Sequence, residues 1–164
     1  MLIIEDGNIV EDANSFATVE ECIAYCNARN LTITEVEETV EKLLIRAMDY
    51  LHSIEQRFQG IREDAEQELC FPRLEVYFYE NDVSGAIPKN LKNAQCRLAY
   101  DFSQDDLQAN GTGKEVIEEG VGALKVVYAP SGNASPQVEP VAALALLKPL
   151  FKSGAGSAFI PNVR

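Results

Sequence analysis

The run from Lys42 to Arg62 constrains the fold more than any other part of the chain. Its apolar residues recur at three- and four-residue spacing, which predicts an amphipathic helix, and Gly60 is expected to stop the element. A charged loop and a Phe-Pro-Arg sequence at residues 71–73 follow. No catalytic motif accompanies them. The pattern is therefore typical of assembly architecture rather than of an active site.

Capping boxes predict where two helices begin. A hydroxyl at Thr18 or Thr34 is followed three residues later by a carboxylate, so that the two side chains can satisfy reciprocal backbone donors. The first helix is expected to reach about Arg29. A third helix is predicted to begin at Pro88, where proline is tolerated in the first turn, and a fourth over residues 141–151.

Strand signals are weaker. Residues 2–10 are expected to form a short extended segment, and residues 74–80 a loop with a short strand at best. Strand formers on both sides of Gly120–Gly122 predict a hairpin over about residues 114–128. Because an isolated hairpin is barely stable in water, we expect it to pack on the helices or to extend the sheet of a neighbouring subunit.

Acidic residues dominate the charge of the chain. The formal net charge is −12, and residues 1–69 hold 16 acids against 5 bases, whereas residues 70–164 hold 10 against 9. Such a face repels the phosphate backbone, so nonspecific binding to DNA is disfavoured. A surface that simply aids solubility is the alternative explanation.

Two sets of basic residues are the candidates for a cationic patch. One surrounds the long loop and the other lies on the predicted third helix: Arg57, Arg62 and Arg73, and Lys89, Lys92 and Arg97. With so many carboxylates in the chain, we expect these bases to form intramolecular ion pairs. The chain has no Trp, and its aromatic residues do not alternate with bases as they would in a stacking groove.

The sequence provides no catalytic, cofactor or metal site. His52, the one histidine, lies late in the second helix beside no nucleophile motif, and the glycine clusters complete no dinucleotide or phosphate-loop pattern. The four cysteines lack disulfide or zinc spacing, and Cys22 and Cys26 are expected to be a buried thiol pair on one helix face. No apolar run approaches the roughly 20 residues of a membrane span, and the start lacks a signal peptide, so a cytosolic protein is expected.

The order of short motifs along the chain resembles that of a phage and prophage family labelled DnaT-like single-stranded-DNA-binding, whose members resemble the head–tail connectors of tailed bacteriophages. The resemblance covers about residues 10–150. It rests on six segments: Ala13–Phe16, Leu44–Leu51, Arg57–Gly60, Leu69–Arg73, Ile87–Cys96 and Val121–Tyr128. The chain departs from the family at Cys70 and Phe71, where a small residue and Trp are more frequent, and in its longer region 77–84.

The resemblance implies a mainly α fold, namely a small bundle of about four helices with a β-hairpin arm and an extended C-terminal tail. The implied connector domain spans residues 1–152, and residues 153–164 form a flexible tail. As a connector, the protein is expected to form a dodecameric ring below the portal in the virion, after assembly in the host cytoplasm. The ring would dock tail or stopper proteins, and genomic DNA would pass through its channel without specific binding.

Partner contacts are expected on the tail and the hairpin, on the following residues: Phe159, Ile160, Val163, Arg164, Val126 and Tyr128. The alternative function is a single-stranded-DNA-binding replication protein, and a generic assembly chaperone is the third function considered. A single-stranded-DNA binder is expected to be basic and lined by aromatic residues, so the charge of this chain favours the connector.

Overall fold

Helices provide most of the regular structure in the part of the chain that the computed structural model describes, which is residues 1–104, 118–121, 124–127 and 140–152. The α-helices are α1 (Val19–Asn27), α2 (Glu37–Ser53), α3 (Lys89–Gln104) and α4 (Val141–Leu147). A first 3₁₀ turn (Glu55–Arg57) follows α2, and a second 3₁₀ turn (Lys148–Leu150) follows α4. At this coarse level the prediction of a mainly helical chain with about four helices is confirmed.

The chain divides into two compact units, one formed by Met1–Asp105 with Pro140–Arg164 and the other by Asp106–Glu139. Helix α3 is the centre of the larger unit, because it contacts α1, α2 and α4. Its residues Leu91 and Leu98 are fully buried. Full burial stabilises each such leucine by about 1.5–3 kcal/mol, so this helix organises the core. None of the described helices is both long and apolar enough to span a membrane.

The two capping boxes have different outcomes. At the start of α1, Thr18 accepts a hydrogen bond from the Glu21 backbone N–H and the Glu21 carboxylate accepts one from Thr18, as predicted. The prediction for Thr34 is wrong, since α2 begins at Glu37 with Val36 as its N-cap. The Thr34 hydroxyl instead accepts a bond from the Val36 N–H at 3.2 Å, a local turn that competes with helix formation.

Short antiparallel strand pairs follow the first 3₁₀ turn. Strand β1 (Ile61–Arg62) pairs with β2 (Arg73–Leu74), and β3 (Tyr77–Phe78) pairs with β4 (Asn81–Asp82). These two-residue strands agree with the prediction of a loop containing at most a short strand. The predicted extended segment over residues 2–10 forms only a bridge between Ile4 and Ser15.

That segment curls because of one carboxylate. Glu5 is 2% exposed, and its oxygens accept hydrogen bonds from the backbone N–H groups of Gly7, Ile9 and Val10. A side chain that accepts bonds from three nearby backbone donors bends the backbone around itself. The extended conformation is therefore lost after Ile4.

The smaller unit contains the predicted hairpin. Strand β5 (Glu118–Val121) pairs antiparallel with β6 (Leu124–Val127), and Val121 lies opposite Leu124. The first strand extends further than predicted, because Gly120 and Val121, expected in the turn, are strand residues paired with β6, whereas residues 114–117 lie outside the described residues.

All four cysteines are free and buried. Burial raises the pKa of Cys70 to about 12. A hydrogen bond with Cys22 raises the pKa of Cys26. The prediction of a buried thiol pair on α1 is therefore confirmed, and these thiols behave as core residues.

Candidate functional site

A cleft of about 1140 Å³ opens on the larger unit beside the β3–β4 hairpin and the second 3₁₀ turn. Its walls combine three cationic side chains, three aromatic rings, one amide and one proline. The lining residues are Arg57, Gln59, Tyr77, Tyr79, Lys148, Pro149, Phe151 and Lys152. They come from three separate segments of the chain, so the cleft exists only in the folded protein.

Gln59 joins these segments. Its backbone N–H donates to the Leu150 carbonyl at 2.9 Å, and its side-chain Nε2 donates to the carbonyls of Pro149 and Phe151 at 2.8 and 3.2 Å. Its Oε1 accepts a bond from the Tyr77 N–H at 3.1 Å. The amide therefore fixes the distance between the segment of the second 3₁₀ turn and strand β3.

Phe151 supports the cationic side of the cleft. The guanidinium carbon of Arg57 lies 4.4 Å from the centre of the Phe151 ring, and the Lys152 N–H donates to the Arg57 carbonyl at 2.8 Å. The Phe58 ring contacts Phe151 with a centroid distance of 5.4 Å. Since Phe58 is fully buried and contacts Phe71 in turn, this aromatic row anchors the cleft in the core.

A buried arginine fixes the backbone that follows the first 3₁₀ turn and carries Gln59 into the cleft. Arg73, which is 6% exposed, donates to the carbonyls of Gln59 and Gly60 at 2.7 and 2.8 Å. It also forms an ion pair with Glu55 at 3.0 Å, and Arg62 binds the same carboxylate through two hydrogen bonds of 2.7 Å. The hydrogen-bonded Arg62 guanidinium holds the pKa of Glu55 below its usual range. Glu55 is thus a shared anion for two arginines.

The two tyrosines are unusually exposed for aromatic residues. Tyr77 is 50% exposed and Tyr79 is 75% exposed. Tyr79 has φ +56° between β3 and β4, a conformation that costs a non-glycine residue about 1–2 kcal/mol. Its ring contacts Phe78 at a centroid distance of 4.9 Å. A bulky ring kept in a strained turn and directed to solvent points to a role at the surface.

The three cations of the cleft differ from most other basic residues of the described structure. Ion pairs join Arg62 and Arg73 to Glu55, Lys92 to Glu21 and Arg97 to Asp101, as predicted for these bases. Within residues 1–104 and 140–152, no carboxylate lies within ion-pair distance of Arg57, Lys148 or Lys152. Within those described residues, the predicted pairing is therefore wrong for Arg57 and likewise for Lys89. These exposed cations leave local positive charge at the cleft.

The cleft contains none of the partner-binding residues that the sequence predicted. Phe159, Ile160, Val163, Arg164 and Tyr128 lie outside the described residues, as does the predicted tail. Val126 lies in β6, opposite Glu119. The expectations attached to these six residues stay predictions.

Aromatic residues do not alternate with bases within either segment, as expected, but the fold brings tyrosines and cations together at this cleft. Tyr77 and Tyr79 lie in a segment interpreted as a loop, whereas Lys148 lies within a segment interpreted as an apolar helix and Lys152 directly follows it. The first segment contains tyrosines but no base, and the second contains lysines but no tyrosine, so neither alone indicates a stacking groove. The available signal was three aromatic residues within Tyr77–Tyr79, a short run that places rings on both sides of a strand.

The one histidine and the acidic and thiol side chains of the described residues lie outside the cleft lining. No group of three or more His, Cys, Asp and Glu side chains among the described residues could hold a metal ion. His52 is half-buried, burial lowers its pKa, and its Nε2 contacts no hydrogen-bond partner in the described part of the chain. It lies outside the cleft lining.

A family described as "Putative DnaT-like ssDNA binding protein" matches residues 1–164. No curated protein and no solved structure matches the chain. The family match agrees with the alternative function considered from the sequence, and the prediction of a structural head–tail connector is wrong. The portal and tail partners, the ring and the virion location stay untested predictions.

Proposed function

Because the chain belongs to the DnaT-like single-stranded-DNA-binding family, we propose that it binds single-stranded DNA in the cleft beside the β3–β4 hairpin. The observation that carries the proposal is the convergence of exposed tyrosines and unpaired cations on one concave surface. Proteins that bind single strands combine a cationic groove for the backbone with aromatic rings on which bases stack. The cleft has both components.

Single strands suit this surface better than duplex DNA. The faces of unpaired bases are open to stacking, and stacking on an aromatic side chain is worth about 1–3 kcal/mol per base. In a duplex, the bases are already stacked on one another, and the tyrosines would find only backbone and groove edges. Tyr77 and Tyr79 therefore favour the single strand.

The net charge of −12 does not exclude this function. Screening confines strong electrostatic effects to about 8–10 Å at physiological ionic strength, so the charges nearest the ligand dominate. Those nearest the DNA in the cleft would be Arg57, Lys148 and Lys152. The remaining acidic surface would repel the strand and limit contact to the cleft, which accounts for binding by a protein that is acidic overall.

Fluorescence anisotropy with a labelled oligothymidylate tests the proposal. Neutralising three phosphates of a single strand gives a slope of log K against log salt of about −2. Removing one cation by Lys148→Gln should weaken binding several-fold and reduce the magnitude of that slope by about 0.7. The matched control is Lys89→Gln, which changes the net charge equally on an exposed lysine of α3 outside the cleft.

Three results would contradict the proposal. The first is no binding of the wild-type protein to the single strand at low salt. The second is equal binding to single-stranded and duplex DNA of the same sequence. The third is an equal loss of affinity in Lys148→Gln and Lys89→Gln, which would show that the response follows net charge and not the cleft.

A further inference from the structure

The cations and the tyrosines of the cleft come from different segments of the chain, and we infer that each set binds a different part of the nucleotide. This inference rests on the proposed function. We define the phosphate wall as Arg57, Lys148 and Lys152, and the base wall as Tyr77 and Tyr79. The phosphate wall binds the sugar–phosphate backbone, and the base wall stacks on the bases.

The phosphate wall has cations but no ring available for stacking. Arg57 lies over the Phe151 ring at 4.4 Å, and Phe58 packs on the same ring at a centroid distance of 5.4 Å. Phe151 is therefore occupied as a support for the guanidinium. Lys148 and Lys152 are exposed at the two ends of the segment that contains this ring. These groups can bind phosphate oxygens, but they offer no stacking surface for a base.

The base wall has the opposite composition. Residues 74–88, which contain both of its tyrosines, include no Lys or Arg. The same segment has exposed acids at Glu75, Glu80 and Asp82. These carboxylates repel a phosphate, whereas an uncharged base meets no such penalty. The carboxylates of residues 74–88 therefore disfavour contact with the sugar–phosphate backbone of the DNA. The tyrosine rings are left to stack on the bases.

Gln59 contacts both sides and sets their separation. Its Oε1 accepts from the Tyr77 N–H, and its Nε2 donates to Pro149 and Phe151. Both Nε2 hydrogens are thereby used within the protein, so this amide has no donor left for a base edge. We therefore expect Gln59 to position the two walls, and stacking rather than edge recognition to dominate, with little preference among bases.

Oligonucleotides lacking one component each provide the test. Three ligands are compared by anisotropy: oligothymidylate, an abasic strand that keeps its phosphates, and a methylphosphonate strand that keeps its bases without backbone charge. The base-wall variant combines Tyr77→Ala with Tyr79→Ala, and the phosphate-wall variant combines Lys148→Gln with Lys152→Gln. The matched controls outside the cleft are Ile61→Ala, an exposed apolar residue, and Lys89→Gln.

We expect the base-wall variant to lose about tenfold or more in affinity for oligothymidylate and almost nothing for the abasic strand. The phosphate-wall variant should lose affinity for oligothymidylate and for the abasic strand, but not for the methylphosphonate strand. As a second measurement that needs no variant, photocrosslinking of an iodouracil-substituted strand to the wild-type protein should attach the base to Tyr77 or Tyr79.

The inference is overturned if both variants lose affinity for all three ligands by the same factor, or if iodouracil crosslinks only to Phe151 or to residues outside the cleft. Failure of the proposed function is distinguishable, because wild-type protein would then bind none of the three ligands. Circular dichroism melting of each variant shows whether the fold is retained.

Discussion

Gln95 and Gln59 fix two regions of the larger unit by the same means, but in different surroundings. Gln95 is fully buried, accepts bonds from the N–H groups of Phe16 and Ala17, and donates to the Ser15 hydroxyl and the Leu44 carbonyl. Its region is closed on every side by helices and the N-terminal segment. Gln59 is only half-buried, and the groups around it face a cleft.

In both regions a hydrogen-bonded glutamine amide joins separate segments of the chain. The amide of Gln95 lies in a closed core, and the amide of Gln59 lies beside an open cleft. Around Gln95 every polar group of the amide is satisfied inside the protein, and the neighbouring side chains are core residues. Around Gln59 the amide is also satisfied, but exposed tyrosines and unpaired cations surround it. We therefore expect changes at Gln95 to affect folding, and changes around Gln59 to affect ligand binding more than folding.

The largest effect is expected from Gln95→Leu. The substitution keeps the volume but removes the acceptor of the buried Phe16 N–H, together with the other bonds of the amide. A buried donor without a partner costs about 1–3 kcal/mol and each of the three further lost bonds about 1 kcal/mol, so unfolding free energy should fall by about 4–6 kcal/mol. Urea unfolding measures this loss.

The affinity of the folded Gln95→Leu protein for oligothymidylate should stay unchanged, because the hydrogen bonds of the Gln95 amide join it to Ser15, Phe16, Ala17 and Leu44, none of which lines the cleft. A stability close to wild type would show that the closed region tolerates loss of its central amide. A large loss of affinity at full folding would show that the two regions are coupled, and the comparison between them would then fail.

The next largest loss of stability is expected from a change at Glu55. Glu55→Gln removes the charge shared by Arg62 and Arg73, and hydrogen bonds to charged groups are worth about 1.5–3 kcal/mol, so we expect a loss of about 2 kcal/mol at neutral pH. The pKa of Glu55 is lowered in the folded protein. Its contribution is therefore complete above the unfolded pKa of about 4.3 and is lost as pH falls below it.

Unfolding of wild type and Glu55→Gln over a pH series measures that contribution. The difference in unfolding free energy between them should shrink as the solution becomes acidic. In Glu55→Gln, the half-buried Arg62 can still contact solvent, and Arg73 keeps its hydrogen bonds to the carbonyls of Gln59 and Gly60. A difference that is constant with pH would exclude Glu55 as an ionised partner of these arginines.

The sequence was sufficient to predict structure that depends on neighbouring residues, and it was insufficient to predict contacts between segments that are distant along the chain. The capping box at Thr18 and the apolar period of α3 depend on neighbours three or four residues away, and both predicted the observed helices. The second capping box failed because the Thr34 hydroxyl had another local partner. The bond from Gln59 to Pro149 spans 90 residues, and no local pattern indicates it.

The cleft was missed for the same reason. Its rings and its cations lie in different segments, and the convergence that defines it depends on Gln59 and on the aromatic row behind Phe151. Net charge was also misleading, because a sum over 164 residues conceals three cations on one surface that have no carboxylate partner within residues 1–104 and 140–152. In the proposed function, binding depends on the placement of charge and not on its total.

A smaller effect is expected when Gln59 itself is changed. In Gln59→Glu at neutral pH, the introduced carboxylate cannot donate to the carbonyls of Pro149 and Phe151, so two bonds are replaced by repulsion. Because the site is half-buried, we expect a loss of stability of about 1 kcal/mol. The new charge should also weaken binding of oligothymidylate.

Protonation restores one donor to the introduced carboxyl group, so part of both losses should be recovered at mildly acidic pH relative to wild type at the same pH. Gln59→Leu provides the control, since it lacks the donor at every pH. Equal pH profiles for the two variants would contradict the bridging role of the amide between strand β3 and the second 3₁₀ turn.

The smallest change in stability is expected at the hairpin tip. Tyr79→Gly removes a strain of about 1–2 kcal/mol, but it gives up the contact with Phe78 and adds flexibility to the unfolded chain, so unfolding free energy should change by less than about 0.5 kcal/mol. Affinity for oligothymidylate should nevertheless fall about tenfold through the lost ring. Asn30→Gly is the matched control, because Asn30 is uncharged, has φ +54° and lies outside the cleft lining. That variant should keep its affinity. If both glycine variants bind as tightly as wild type, the exposed ring of Tyr79 has no part in binding, and its strained conformation belongs to the fold alone.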